Sequence, residues 1–206
     1  MNIIQSWLKS NKSIQIETFL NEWYGPPKKP APKIQNNDTP EPLVHWHELS
    51  QAWDSGITHQ NYAIPLNELK PEKGKIPFWC ENQGNSMWAF DPTSQNQLVY
   101  ELSRDDSWEK TSVDISTFLR ISTINEAIYG SPAQEFIETS DPWNLFFPLE
   151  NLQLEALNLD WPHPQSRTII GRSWLALVDP GRIPGTYEVT LAAKLDSTIR
   201  DLLSKP

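Results

Sequence analysis

K-I-P-F-W-C-E-N-Q-G (Lys75–Gly84), S-M-W-A-F-D (Ser86–Asp91) and L-V-Y-E-L (Leu98–Leu102) follow one another inside a segment that opens at Ala63 with A-I-P-L-N-E-L and closes on S-V-D-I-S-T-F-L-R-I (Ser112–Ile121). Each of the three runs is rich in aromatic and aliphatic strand formers. Each ends on residues with turn chemistry: Glu81-Asn82-Gln83-Gly84-Asn85, then Asp91-Pro92-Thr93-Ser94, then Arg104-Asp105-Asp106. Connections this short join antiparallel neighbours, so the spacing predicts a β-meander. A helix is predicted after it, capped by Ser112 or Asp114, with Ile115, Phe118, Leu119 and Ser122 on one face. Pro65–Leu69 reads as a short helical turn, and Trp108 as a core anchor.

The flanks are read in the same way. Residues 1–24 predict one or two helical pieces, capped by Ser13 and ended by Gly25-Pro26-Pro27. Pro26–Pro42 is a polar, proline-rich connection that favours extended backbone, either as a stiff surface loop or as a ligand for a proline-recognising module. Leu43–Gln51 predicts entry into a helix with Trp46, Leu49 and Trp53 turned inward. Tyr129-Gly130-Ser131-Pro132 marks a boundary, giving a domain over 1–130 and an extension over 131–206 packed on the same domain. Within the extension, Thr168–Asp179 reads as one buried strand with Gly171 and Arg172 at a bulge. The leucines Leu191, Leu195, Leu202 and Leu203, with Ile199, predict a closing helix over about 187–203. Pro148–Leu152 echoes Pro65–Leu69 over five residues. The fold class expected is α+β: a mostly antiparallel sheet packed against helices, in a single domain.

Composition narrows function. The chain has 206 residues, ten of them Trp, with a net charge of −9. A nucleic-acid binder must neutralise phosphates and is normally basic, so no nucleic-acid partner is expected. The charge suits attraction to a basic protein. The start, M-N-I-I-Q-S-W-L-K-S, lacks the pattern of a signal peptide, and no apolar run approaches a membrane span, so a cytoplasmic location is expected with no membrane partner. The single cysteine, Cys80, rules out an intramolecular disulfide.

Chemistry is thinly signalled. His45-Trp46-His47-Glu48 would set two imidazoles on one face of a strand, with His59 and Cys80 as further ligands. Zinc needs three or four converging donors, and neither C-x-x-C nor H-E-x-x-H is present. His163 lies in a stiff turn, W-P-H-P. No phosphate-binding glycine loop and no nucleophile elbow occur. The expectation is a protein without catalytic residues, metal or cofactor. From Ser122 to Ser166 there is no Lys or Arg, while Glu126, Glu135, Glu138, Asp141, Glu150, Glu155 and Asp160 accumulate. This stretch reads as a solvated acidic face, or as a docking surface for a basic partner.

The order of elements from Ile64 to Ile121 resembles the SUKH superfamily, the group built around the Smi/Knr-type fungal cell-wall regulators. The features that carry the resemblance are the P-L-x-x-L turn, a strand running into E-N-Q-G, the W-A-F-D strand, a strand before an acidic loop, a lone Trp and a helix opening S-x-F-L. E-T-F-L-N-E-W-Y-G (Glu17–Gly25) resembles the family's opening helix more loosely, and the segment beyond Gly130 is not covered. The resemblance implies a non-catalytic immunity protein that occludes a cognate toxin, such as a nuclease. A regulatory or scaffold protein like the fungal members is the alternative, and a hydrolytic enzyme, which would need Cys80 or His45, His47 and His59 to converge in a pocket, is the third reading. The partner-binding candidates are Glu101, Asp105, Asp106 and Glu109 from the third strand and its acidic loop, with Glu81, Asn82 and Gln83 from the E-N-Q-G turn. That turn also has a purely structural explanation, in which Asn82 bonds its own backbone and Gly84 takes a positive φ.

Overall fold

The computed structural model describes residues 15–36, 38–54, 56–142, 166–171 and 173–204, and the backbone of 155–158. The expectations for residues 1–14, for Pro148–Leu152, for the acids Glu150 and Asp160 and for His163 lie outside the described residues. The architecture is α+β with antiparallel sheets. The chain divides into two compact units, Gln15–Ala127 and one that includes Ile128–Pro206. The dividing point falls in the last turn of a helix, just before Gly130.

In the first unit, α1 (Ile16–Tyr24) ends on Gly25, whose φ of +83° is open to glycine at no steric cost. The Trp53 indole donates to the Gly25 carbonyl at 2.9 Å and holds that turn in place. The proline-rich connection is then tied back to α2 (Glu41–Ser50). The buried Glu48 carboxylate accepts the Ile34 N–H at 2.7 Å, and Lys33 approaches it at 3.4 Å. Lys28 N–H donates to the Ala52 carbonyl at 2.9 Å. These anchors make the segment a pinned surface loop.

Five strands follow: β1 (Asn61–Ala63), β2 (Ile76–Glu81), β3 (Met87–Phe90), β4 (Leu98–Leu102) and β5 (Trp108–Asp114), in the order β1-β2-β3-β4-β5. The Leu66–Glu68 helical turn lies between the first two. The meander is present as expected and gains a strand at each edge. β1 escaped notice because it is three residues long. β5 escaped because W-E-K-T-S-V-D is mostly polar, as suits an edge strand, and its pairing with β4 supplies the order that its composition does not. Trp108 is half-exposed, not a core anchor, and its indole donates to the Glu72 carbonyl at 3.0 Å.

The helix α3 (Ile115–Tyr129) starts where the sequence indicates. The Asp114 carboxylate accepts the Thr117 N–H at 2.7 Å, satisfying a donor the helix itself leaves open. Ile115, Phe118, Leu119 and Ser122 are buried, and from Ile121 to Ile128 every residue is. A helix enclosed on all sides must satisfy its polar side chains internally. Thr123 does so as the centre of a relay. Its hydroxyl accepts from the Trp46 indole at 2.9 Å and donates to the Leu119 carbonyl at 2.6 Å, joining α2 to α3.

One irregularity places the sheet against this helix. The β2–β3 register shifts between Pro77 and Trp79, leaving Phe78 as an extra residue in its strand. Successive side chains of a regular strand point to opposite faces, but at a bulge two can share one. Phe78 and Trp79 both meet the Phe118 ring edge-on, at centroid distances of 5.2 and 5.9 Å, and Trp88 meets it at 5.5 Å. Trp46 packs on Trp79 at 5.1 Å. The helices α2 and α3 thus cover one face of the sheet through five aromatic rings.

The second unit holds a five-stranded antiparallel sheet, β6 (Ala133–Thr139), β7 (Glu155–Asn158), β8 (Arg167–Ile170), β9 (Trp174–Pro180) and β10 (Tyr187–Ala193), in the order β6-β10-β9-β8-β7, and the helix α4 (Asp196–Leu203). Two expectations are corrected here. Thr168–Asp179 is a hairpin, not one strand: Gly171 N–H donates to the Trp174 carbonyl at 2.9 Å, and the chain reverses there. Both strands are central and buried, so the apolar runs on either side of Gly171-Arg172-Ser173 read as one strand, and the short polar break between them, read as a bulge, is the turn. The closing helix is shorter than expected. Tyr187–Ala193 is a strand whose alternate residues Val189, Leu191 and Ala193 share the core with Trp174, Ala176 and Ile199. Leu195, expected on the buried stripe, is 64% exposed. A spacing of four is even, so Leu191 and Leu195 fitted a strand period as well as a helical one.

Gly171 also carries a packing constraint. A Cβ there would lie 2.2 Å from the Trp174 ring, which is itself buried. Gly171→Ala is expected to destabilise the protein by about 2 kcal/mol, because the indole must leave its site. Urea denaturation checks this, and an unchanged midpoint would refute the packing argument.

Candidate functional site

The antiparallel register gathers the seven candidates at one end of the first sheet. In a meander alternate turns share an end, so the Asn82–Ser86 turn between β2 and β3 and the Ser103–Ser107 loop between β4 and β5 are neighbours. One row further in, Trp79 is opposite Trp88, Trp88 opposite Glu101 and Glu101 opposite Glu109. Two glutamates therefore adjoin across the last strand pair, beside the aromatic core.

The individual groups differ in what they are free to do. Glu81 organises its turn: its carboxylate accepts the N–H groups of Gln83 at 3.0 Å and Asn85 at 3.2 Å. Gly84, with φ +74°, returns its N–H to the Glu81 carbonyl at 2.9 Å. The turn is thus held by Glu81 and not, as expected, by Asn82 bonding its own backbone. Gln83 is further tied to Asn85 at 3.3 Å, and Asn82 is exposed. Asp106 has a structural duty as well. It takes φ +61°, a conformation aspartate tolerates better than most residues, and Lys73 pairs with its carboxylate and bonds its carbonyl. Asp105 and Glu109 are exposed and make no ion pair among the described residues, so they hold the uncompensated charge of this end.

Glu126, read from sequence as part of an acidic surface, is fully buried. Its carboxylate accepts the backbone N–H groups of His59 at 2.5 Å, Gln60 at 2.7 Å and Asn61 at 3.0 Å, and the Asn61 side-chain amide at 2.6 Å. It is the fastener between α3 and the loop that starts β1. Glu135, Glu138 and Asp141 are exposed as expected. Burial, reinforced by the Glu126 carboxylate, pushes the Tyr24 phenol well above its ordinary value, and its hydroxyl lies 3.4 Å from His59 Nε2.

His45, His47 and His59 are not brought together as metal ligands among the described residues. His45 and His47 stand on a helix, where residues two apart point about 200° from each other, and not on the strand that would align them. Among the described residues no three His, Cys, Asp or Glu side chains are grouped to hold an ion. Cys80 is buried in β2. A cleft of about 370 Å³ opens beside the start of α2, lined by Asp38, Glu41, Phe90, Asp91 and Gln97 among others. Asp91 is engaged there. Bonds from the Thr93 hydroxyl and N–H, then from Lys75, draw its carboxyl down to about 2.

His47 is a pH-sensitive element of the fold. Burial lowers it to about 4, against a bond to the Ile64 backbone that works the other way, and its Nε2 is buried with no hydrogen-bond partner among the described residues. The unfolded chain takes up this proton near 6.5 and the folded chain near 4. Between those values the unfolded state binds more protons, so stability falls as pH is lowered. After discounting for partial exposure, the expected loss is about 1–2 kcal/mol. Denaturant midpoints at pH 7 and pH 4.5 check it. The drop should be smaller in His47→Gln, and an equal drop in both proteins would refute the assignment.

No helix among the described residues is long and apolar enough to cross a membrane. Comparison with protein-family models, with curated proteins and with solved structures returns no match.

Proposed function

We propose that the chain is a non-catalytic, cytoplasmic binding protein that neutralises a cognate toxin, such as a nuclease, by direct association. The observation that carries the proposal is the convergence of the Glu81–Asn85 turn and the Glu101–Glu109 hairpin at one end of the sheet. It sets carboxylates on a rigid platform where a basic surface can meet them. Nucleases bind phosphates and carry such surfaces. Acidic groups of this kind accelerate encounter more than they deepen affinity. The SUKH-like order of elements points the same way. Anchoring of the proline-rich loop by Glu48 weighs against the scaffold alternative, which would use that segment as a ligand.

The test is co-purification of the tagged chain from its native host at low salt, followed by association kinetics. A basic toxin domain at near-equal stoichiometry is expected, with an association rate that falls as salt rises. Asp105→Lys with Glu109→Lys should slow association by about tenfold with little change in dissociation. Recovery of host regulatory proteins alone would transfer the proposal to the scaffold class. A toxin bound with no salt dependence would remove this face from it.

A further inference from the structure

Among the described residues, β6 forms an edge of the second unit's sheet with no strand paired on its outer side. Edge strands carry a row of open N–H and C=O groups, and proteins commonly blunt them with lysine, proline, bulges or brevity. At the first sheet's edges, β1 has three residues, while β5 carries Lys110 and pairs through a shifted register. β6 lacks lysine, proline, a bulge and brevity, and its edge charges are the two glutamates Glu135 and Glu138. A-Q-E-F-I-E-T is seven residues long, contains no Lys, Arg or Pro, and pairs with β10 without a register break from Ala133 to Thr139. Its Phe136 is 72% exposed. Phe136 ends a cross-sheet row of Thr168, Leu177 and Thr190, of which Thr168 and Leu177 are buried. The row is apolar enough to be continued and stops at solvent.

We propose that β6 is a strand-addition site for an extended basic segment of a partner protein, whose backbone prolongs the sheet. This rests on the reading of the chain as a binding protein for a basic partner. Glu135 and Glu138 are exposed, flank Phe136 and Ile137, and lie on opposite faces of the sheet. A strand laid beside them meets, in order, an acid, two apolar residues and an acid. The complementary pattern is basic-apolar-apolar-basic, and because it is symmetric it serves a parallel or an antiparallel addition. Backbone bonds supply affinity in such additions and the alternate side chains supply selectivity. A second copy of this chain is the competing occupant. The antiparallel register that matches Phe136 with Ile137 of the other copy sets Glu135 against Glu138, twice, and like charges directly opposite are destabilising, whereas the register that matches Phe136 with Phe136 avoids this and is separated by the concentration dependence of protection.

The test uses the full chain and a capped hexapeptide, Thr-Lys-Val-Val-Lys-Thr, followed by amide hydrogen exchange. At saturating peptide, alternate amides of 133–139 should slow by about tenfold. The peptide with Glu for both Lys, and one with N-methylated valines, should have no effect. In the Glu135→Lys/Glu138→Lys chain the preference should invert in favour of the Glu peptide. Unchanged β6 amides with the Lys peptide would overturn the proposal, as would equal protection by both peptides. Protection that grows with protein concentration alone would assign the edge to a second copy and overturn it too. A toxin that binds the parent and the Glu135→Lys/Glu138→Lys chain equally would leave the proposed function standing and remove this site from it.

Discussion

Replacement of Glu126 by alanine should lower the unfolding free energy by about 3–5 kcal/mol. The side chain is fully buried and accepts four hydrogen bonds, three of them from consecutive backbone amides. Deleting it leaves donors that were desolvated on folding with nothing to bond, and each such orphan costs about 1–3 kcal/mol. The loop 59–61 can open to water and recover part of this, which limits the total. Glu126→Gln separates acceptor from volume: it keeps the size but turns an amide NH₂ toward the donors, so roughly half of the alanine loss is expected. Urea denaturation followed by near-ultraviolet circular dichroism reads both variants. Hydrogen exchange adds a local check, since the amides of His59, Gln60 and Asn61 should be the first to lose protection. A loss under about 1 kcal/mol in Glu126→Ala would show that these amides find water as readily as the carboxylate.

Phe118→Ala is expected to cost about 3–5 kcal/mol by a different route. Phe118 is fully buried where the rings of Phe78, Trp79 and Trp88 converge. Truncation removes three ring contacts and opens a cavity that stiff neighbours fill poorly. Phe118→Leu should recover more than half of the loss, because it restores volume without the edge-on geometry. The contrast between the substitutions is the useful measurement. Filling by leucine but not alanine marks a packing site, whereas equal losses would mean that the aromatic geometry itself dominates. Tryptophan emission should shift to the red in Phe118→Ala as water reaches Trp79 and Trp88.

Much of the first sheet was legible because its punctuation is local. Asp91 bonds Thr93 two residues on, Gly84 takes its positive φ within its own turn, and Asp114 caps the helix it precedes. Each of these is settled within about four residues, so reading them needs no knowledge of the rest of the chain. β5 was missed for the opposite reason, since its strand state depends on β4. The extent of β10 was misread because spacing by four satisfies two periods.

The candidate site divides along the same line. That acidic residues would cluster in the β4–β5 loop is plain from the sequence. That this loop shares an end with the Glu81–Asn85 turn follows only once the strands are known to be antiparallel neighbours. Lys73 against Asp106 closes a gap of 33 residues, and no local pattern marks it.

The amino-acid sequence by itself determined the acidic charge, the turn positions, the helix cap at Asp114 and the aromatic supply of the core, because each depends on a residue's own chemistry and that of its near neighbours. The tertiary structure alone decided that Glu126 is an interior fastener and not a surface charge. Its donors are the amides at 59–61, the last of them 65 residues earlier in the chain. Whether a carboxylate meets water or three N–H groups is a fact of distance in space, and folding is what sets that distance.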